Sequence, residues 1–299
     1  MTQPTVKFAG VHVPAHLKGD DLLKWMKDNL ALLIAEKKAA TKEADPITLS
    51  VNINSRLAVD KDGQLTKAAE NVAIDLGKAD TVLNVINTTN IMDSHMDVHI
   101  PGIWKKSLKE NKFFLHLQEH TMAFDHIISD EAKAYTEKIA WKDLGYDAIG
   151  TTEALIFATP FTGRNEYMEG QYRKGWVKNH SVGMRYVTIK FCVNRPDDDY
   201  YKEEYANWQT YIDQVINRDE AEARGMFWAV LEAKIVEGSA VVKGSNTITP
   251  SLGFKSAEPP ASTQQNAPAT TTQVKEENES VSDTKTEVDW EKVAKAIIN

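Results

Sequence analysis

The chain has 299 residues and a formal net charge of −8. This acidic balance excludes a protein whose main task is to grip a nucleic-acid backbone, because that task needs a basic face. No apolar run approaches the roughly 20 residues of a membrane span, and the lone Cys192 rules out an intrachain disulfide and suits a reducing cytoplasm.

Residues 1–46 are predicted to form an N-terminal helical extension. A helix is expected from Asp20 to about Ala40, because apolar residues recur there at helical spacing. The apolar positions are Leu22, Leu23, Trp25, Met26, Leu30, Leu33 and Ile34. We expect this face to pack on the body of the protein, as the faces of amphipathic surface helices generally do.

Residues 47–254 are predicted to form the main domain. Short runs rich in β-branched and aromatic residues predict strands. These runs are 47–57, 81–86, 113–117, 153–158, 176–193 and 227–242. The longest helix-like stretch spans 200–223. The pattern predicts an α+β fold with a mainly antiparallel β-sheet or barrel core and surrounding helices.

The C-terminal part changes character. Residues 255–286 are crowded with Pro, Ser, Thr, Gln and Asn, and that composition predicts a disordered linker. Residues 287–299 regain helical spacing and predict a short amphipathic helix. Its apolar positions are Trp290, Val293, Ala294, Ile297 and Ile298. So short a helix is marginal alone in water, so we expect it to need a docking partner.

Ser181 is the first candidate site residue. It lies in a run, 174–191, that is predicted to be a strand, and alternation puts it on the apolar face of Val187 and Ile189. Gly183 beside it leaves room for a substrate to approach closely. A serine needs a neighbouring base to act as a nucleophile. Taken alone, the pattern favours a buried hydroxyl bonded to a backbone carbonyl, the usual arrangement.

Glu237 is the second candidate. Alternation along its predicted strand puts it on the face of Leu231 and Ile235, where an unpaired carboxylate is costly. It is therefore a candidate to orient an imidazole, as in a catalytic triad. A glutamate that reaches solvent at the strand end, beside Gly238, fits equally well.

His120 is the candidate general base. It follows the predicted strand 113–117, and a strand end can present a base to a cleft. His116 lies within the strand, and we interpret it as structural. His180 adjoins Ser181 but is expected to point to the opposite face of a regular strand, which makes it a poor base.

Four sequence segments occur along the chain in the same order as the motifs of a known protein family. They are Asp93-Ser-His-Met-Asp-Val-His-Ile-Pro-Gly-Ile-Trp104, Gln118-Glu-His120, His180-Ser-Val-Gly-Met184 and Glu237-Gly-Ser-Ala-Val241. Together they resemble the prohead maturation proteases of tailed phages, whose fold is related to the herpesvirus assemblin proteases. The resemblance covers roughly residues 80–254 and implies a herpesvirus-protease-like fold.

The resemblance implies a serine endopeptidase. In that case His120 takes the proton from Ser181, and Glu237 holds the imidazole. The chain departs from the family at Thr121, where a small acidic residue usually follows the catalytic histidine. Asp125 comes later and could orient His120 instead, so the third member stays open between Glu237 and Asp125.

The oxyanion donors stay open as well. A backbone N–H near Gly183, or the guanidinium of Arg185 or Arg164, could stabilise the developing charge. Arg185 is expected on the face of Ser181.

The resemblance also implies partners and a location. Such enzymes act inside the immature capsid, in the host cytoplasm. They cut the scaffold or the arm of the major capsid protein, and often themselves. We expect no cofactor, no metal, no membrane and no direct nucleic-acid contact; a homo-oligomer is compatible with this biology.

One alternative is a zinc metalloprotease. His116-Leu-Gln-Glu-His120 spells H-x-x-E-H, which on a helix would offer two zinc ligands and Glu119 as base. The aromatic run before it predicts a strand, which argues against this reading. His95 and His99 have the same spacing but precede a Pro-Gly turn.

The other alternative is a non-catalytic capsid assembly or scaffolding protein. The acidic tail and terminal helix fit that role equally well. The joint presence of Ser181, His120 and Glu237 argues against it, because a site that no longer needed catalytic activity could have lost any of these residues.

Overall fold

The computed structural model describes residues 13–14, 16–40 and 80–255. The strand predicted at 47–57 lies outside these ranges. So do the linker and the terminal helix predicted beyond residue 255.

The described chain contains eight strands and six α-helices. The strands are β1 (Thr81–Thr88), β2 (Asp97–His99), β3 (Phe114–Gln118), β4 (Ile127–Ala140), β5 (Thr151–Pro160), β6 (Asn179–Val193), β7 (Met226–Val241) and β8 (Ser251–Lys255). The helices are α1 (Gly19–Asp28), α2 (Leu30–Ala39), α3 (Lys105–Glu110), α4 (Glu166–Arg173), α5 (Lys202–Tyr211) and α6 (Arg218–Arg224).

The strands form one mixed, open sheet in the order β2-β7-β3-β4-β5-β1-β8, with β6 paired to β7. The long strand β7 has β6 antiparallel along one edge, and β2 and β3 both parallel along the other. The predicted α+β class is therefore confirmed. Most strand pairings in the described residues are antiparallel, and of the predicted sheet or barrel the structure has an open sheet. The herpesvirus-protease-like fold stays a prediction. Short parallel strands reach one edge of β7 because long crossovers bring them there.

Five of the predicted strands overlap β1, β3, β5, β6 and β7, whereas β2, β4 and β8 were not predicted. In β4, charged residues and alanines replace the β-branched residues that usually indicate a strand, and much of it is only partly buried. Hydrogen bonding to β3 on one side and β5 on the other holds it extended. Tertiary pairing overrides its weak local preference.

Both predicted long helices are interrupted. The N-terminal one breaks at Asn29, whose side-chain amide donates to the carbonyl of Trp25 at 2.8 Å. The predicted helix 200–223 is divided into α5 and α6 by the 3-10 turn Ile212–Gln214. Asparagine offers the backbone such alternative bonds, which is why it favours helix ends.

The helical extension packs on the same core as the sheet, as the sequence predicts. Leu23, Met26 and Leu33 are buried in one cluster with residues of β6 and β7. The buried Asp97 of β2 accepts a charged hydrogen bond from Lys37 of α2, with 2.8 Å between Nζ and Oδ1. No helix within the described ranges is long and apolar enough to cross a membrane.

One face of the sheet, the inner face, is the side of β7 to which position 238 points, and it is closely packed near the C-terminal end of that strand. A Cβ atom on Gly238 would lie 2.6 Å from the ring of Phe157, so only glycine fits there. The ring of Phe157 from β5 therefore packs on the backbone of β7, on the face opposite to that of Glu237.

Candidate active site

The pairing of β6 with β7 brings the first two candidate residues to one face. Ser181 lies opposite Ser239, and Gly183 lies opposite Glu237, in antiparallel register. Residues directly opposite in such a pair share a face, with Cβ atoms about 4.5–5.5 Å apart. Ser181 and Glu237 are therefore near neighbours on the same side of the sheet.

His120 reaches this face from β3. That strand runs parallel to β7, with Gln118 opposite Ala240, and the backbone N–H of Glu119 donates to the carbonyl of Ala240 at 2.9 Å. Glu119 and His120 then have φ values of 50° and 55°. Such left-handed conformations of non-glycine residues are sparsely populated and cluster at functional sites. The turn directs the His120 ring toward β7.

His120 and Glu237 form a buried hydrogen bond of 2.6 Å between Nδ1 and Oε1. Their side chains are only 7% and 2% exposed. An ionised carboxylate only accepts, which makes Nδ1 the donor in this bond and puts the basic lone pair of a neutral imidazole on Nε2. This is the tautomer that a general base for a serine hydroxyl requires.

Ser239 ties these groups together. Its hydroxyl donates to Oε2 of Glu237 at 2.5 Å and accepts the backbone N–H of His120 at 3.1 Å. Ser239 also lies directly opposite Ser181. The three predicted site residues, Ser181, His120 and Glu237, therefore lie in one cluster.

The site leaves no room for a side chain at position 183. A Cβ atom on Gly183 would lie 2.0 Å from Oε1 and 2.8 Å from Cδ of Glu237. The glycine was predicted to make room for substrate. What occupies the space is the carboxylate that bonds His120.

The predicted apolar neighbours of Ser181 and Glu237 were wrong. Three register shifts interrupt the pairing of β6 with β7. One of them puts Ile235 opposite Met184, the next residue along, while Glu237 stays opposite Gly183. Glu237 therefore does not share the face of Ile235, and the apolar part of β6, where Phe191 stacks on Trp228, is a separate region.

The predicted strand also began too early. Strand β6 starts at Asn179, and α4 ends at Arg173, just before the run that was predicted to be a strand. Asn165 caps this helix through the backbone N–H of Met168. A capping residue followed by Glu166 indicates a helix start, and this helix was not predicted from the sequence.

Asp125 takes no part in the His120 pair. Its carboxylate accepts from the neighbouring His126, with 2.9 Å between Oδ1 and Nδ1, and that bond lowers the pKa of Asp125. Its backbone carbonyl accepts from the side chain of Asn165 at 3.1 Å. Of the two candidate orienting residues, Glu237 is the one hydrogen-bonded to His120.

The three groups that were candidates to stabilise the oxyanion lie in separate parts of the structure. Arg185 is exposed on β6, two residues beyond Gly183. Arg164 is ion-paired with Asp130 of β4. Gly183 lies in the strand itself, beside the carboxylate of Glu237.

The geometry of the His116–His120 segment argues against the zinc hypothesis. His116 lies in a strand, and both of its ring nitrogens have partners, Thr159 at 2.8 Å and Tyr172 at 3.1 Å. It pairs with Gly238, whereas His120 bonds Glu237 on the opposite face. Among the residues that the structure describes, no group of three or more His, Cys, Asp or Glu could hold a metal ion.

The inner face of the sheet holds a buried polar chain that the sequence did not indicate. The Tyr172 hydroxyl lies 3.1 Å from Nε2 of His116 and 2.9 Å from Nε2 of His180. Nδ1 of His180 donates to the carbonyl of Thr249 at 2.9 Å. Burial lowers the pKa of His180 from 6.5 to about 4 and that of His116 well below its ordinary value, so both rings are neutral. His180 is therefore no base for Ser181.

Cys192 is buried, and burial raises the pKa of its thiol to about 12. A thiol that stays protonated is a poor nucleophile.

Ser239 was not predicted as a site residue, although a serine two residues after a candidate glutamate on a strand shares its face. That spacing was the available indication.

Comparison of the chain with protein-family models, with curated proteins and with solved structures gave no match.

Proposed function

We propose that the chain is a serine endopeptidase, with Ser181 as nucleophile, His120 as general base and Glu237 as the residue that orients His120. The observation that carries the proposal is the buried 2.6 Å hydrogen bond between His120 and Glu237, next to Ser181 on the neighbouring strand. A buried imidazole held in one tautomer beside a serine is what acyl transfer requires.

In the proposed reaction, Nε2 of His120 takes the hydroxyl proton as Oγ of Ser181 attacks the peptide carbonyl. The tetrahedral intermediate collapses when His120 returns the proton to the amine leaving group, which leaves an acyl-enzyme. Water then attacks the ester, again with His120 as base, and releases the acid and the free serine. Glu237 stabilises the imidazolium that forms at each step.

The proposed substrates are the scaffold and the major capsid protein arm of a tailed phage, and the enzyme itself. The ordered resemblance of four segments to prohead maturation proteases supports this choice. The proposed site of action is the immature capsid in the host cytoplasm.

Co-expression with the coat and scaffold proteins of the same phage tests the proposal. We expect intact-mass analysis to find cleaved partners or a shortened enzyme with the wild type and with Ser129→Ala. Ser129 is a suitable control because it is a buried serine of β4, outside the site. Ser181→Ala should abolish cleavage, since loss of a triad nucleophile costs a factor on the order of 10⁴ or more.

Two outcomes would contradict the proposal. If Ser181→Ala cleaves as the wild type does, Ser181 is not the nucleophile. If neither the wild type nor Ser129→Ala cuts any partner inside assembled capsids, the chain is better described as an assembly protein.

A further inference from the structure

Ser239 makes two hydrogen bonds that both end on the candidate catalytic pair. Its side chain is fully buried in β7. A backbone N–H can only donate, so the 3.1 Å bond from His120 uses a lone pair of Oγ. The hydroxyl proton is then directed to Oε2 of Glu237, at 2.5 Å.

We propose that Ser239 is a positioning residue that aligns Glu237 with His120, an inference that rests on the proposed protease function. A carboxylate held only through Oε1 can rotate about its terminal torsion, which is broad and roughly two-fold. The bond from Ser239 to Oε2 fixes that rotation, so that Oε1 stays directed at Nδ1 of His120.

The same hydroxyl also anchors the backbone of His120. That residue has φ +55°, a conformation that the surrounding contacts must maintain. Ser239 accepts its N–H and so fixes the imidazole from the backbone side, while Glu237 fixes it from the ring side. One buried hydroxyl thereby sets both the position and the orientation of the proposed base.

Ser239 is not itself the nucleophile in this arrangement. Its hydroxyl proton is committed to Glu237, and its side chain has no exposed surface. Ser181, directly opposite on β6, is 5% exposed and lies at the strand end where β3 delivers His120. In this arrangement Ser181 is the nucleophile, and Ser239 positions Glu237 and His120.

Ser107 provides a matched control. It is 1% exposed, and its Oγ accepts the backbone N–H of Ile235, in the same strand β7, at 2.9 Å. Ser107→Ala therefore removes a buried hydroxyl that satisfies a backbone donor, as Ser239→Ala does, but it leaves the His120–Glu237 pair intact.

The first readout is the tautomer of His120, measured by ¹⁵N NMR in a Ser181→Ala background that prevents self-cleavage. In this background and with Ser107→Ala we expect a single form, with the proton on Nδ1. Ser239→Ala should give a mixture of tautomers and lose the slowly exchanging Nδ1 proton. Ser239→Thr, which keeps the hydroxyl, should restore the single form.

The second readout is the cleavage rate in otherwise wild-type protein. A catalytic group displaced by about 1 Å loses on the order of 100-fold, so we expect Ser239→Ala to lower kcat by about 10- to 100-fold with little change in KM. Ser107→Ala should keep the wild-type kcat even where thermal denaturation reports a similar loss of stability.

The positioning role is overturned if Ser239→Ala keeps the single tautomer and cleaves as fast as Ser107→Ala. Failure of the protease proposal is distinguishable from this result. If no variant cleaves but Ser239→Ala still gives mixed tautomers, the positioning role stands and the assignment of the reaction falls.

Discussion

Replacement of Gly183 by alanine adds a single methyl group at the point where the site is most crowded. That methyl carbon would lie 2.0 Å from Oε1, 2.8 Å from Cδ and 3.0 Å from Cγ of Glu237. Ordinary van der Waals contact begins at about 3.5 Å, so the carboxylate has to move by more than about 1 Å. Its two partners, His120 and Ser239, both hold it where it is.

The movement breaks or lengthens the hydrogen bond from His120 to Glu237. A displacement of about 1 Å at a catalytic group costs on the order of 100-fold in rate. A hydrogen bond to a charged group contributes about 1.5–3 kcal/mol to stability, so the free energy of unfolding should fall by about 2 kcal/mol. We therefore expect Gly183→Ala to fold but to cleave at least about 100-fold more slowly.

Gly170 in α4 is the matched control, because a Cβ atom there would meet nothing within 4 Å. Gly170→Ala should keep full activity and gain about 0.5–1 kcal/mol, as helix propensity predicts. Cleavage rates and denaturant unfolding of both variants make the comparison. Wild-type activity in Gly183→Ala would refute the reasoning, because it would mean that Glu237 can leave His120 without consequence.

Three further changes have defined outcomes. Glu237→Gln keeps the shape of the site but loses the charge that selects the tautomer, so the cleavage rate should fall by a factor on the order of 10⁴ with little loss of structure in circular dichroism. Lys37→Ala leaves the buried Asp97 without its cation and should lower the free energy of unfolding by about 3 kcal/mol in a denaturant titration. Because burial lowers the pKa of His180 to about 4, the unfolded chain binds the proton first as pH falls. Stability should therefore hold above about pH 6.5 and drop by about 3 kcal/mol between pH 6.5 and 4, as measured by unfolding at several pH values; a flat profile would contradict the neutral buried ring.

The resemblance carried by four ordered segments predicted that Ser181, His120 and Glu237 belong to one site, and the pairing of β3 and β6 with β7 brings them close together. Long runs of β-branched and aromatic residues predicted the strands that carry them, and β6 and β7 are the longest of these. Local pattern and tertiary structure agree at these positions, which is why the prediction held for the strands themselves.

The side-chain faces were harder to predict, because they depend on register. A bulge of one residue moves every later side chain to the other face. The shift between Gly183 and Met184 is such a change, and nothing in the run of residues near Val236 indicates it. The apolar face assigned to Glu237 was wrong for this reason.

The hydrogen bonds that support the site were not predicted from the sequence, because most of them join residues that are far apart along the chain. Ser239 bonds His120 across 119 residues of chain, and Tyr172 bridges His116 and His180 from a helix. Such pairs are set by how the strands cross rather than by local preference. Polar residues on buried strand faces are the indication to look for, since each one needs a partner.

The central claim is that Ser181 is an activated nucleophile, and a fluorophosphonate probe tests it most directly, because it reacts with activated serines without any need for the natural substrate. Intact-mass analysis followed by peptide mapping identifies the modified residue. We predict a single adduct on Ser181 in the wild type and none in Ser181→Ala, with labelling strongly slowed in Glu237→Gln. An unlabelled wild-type protein, or an adduct that persists in Ser181→Ala, would contradict the account.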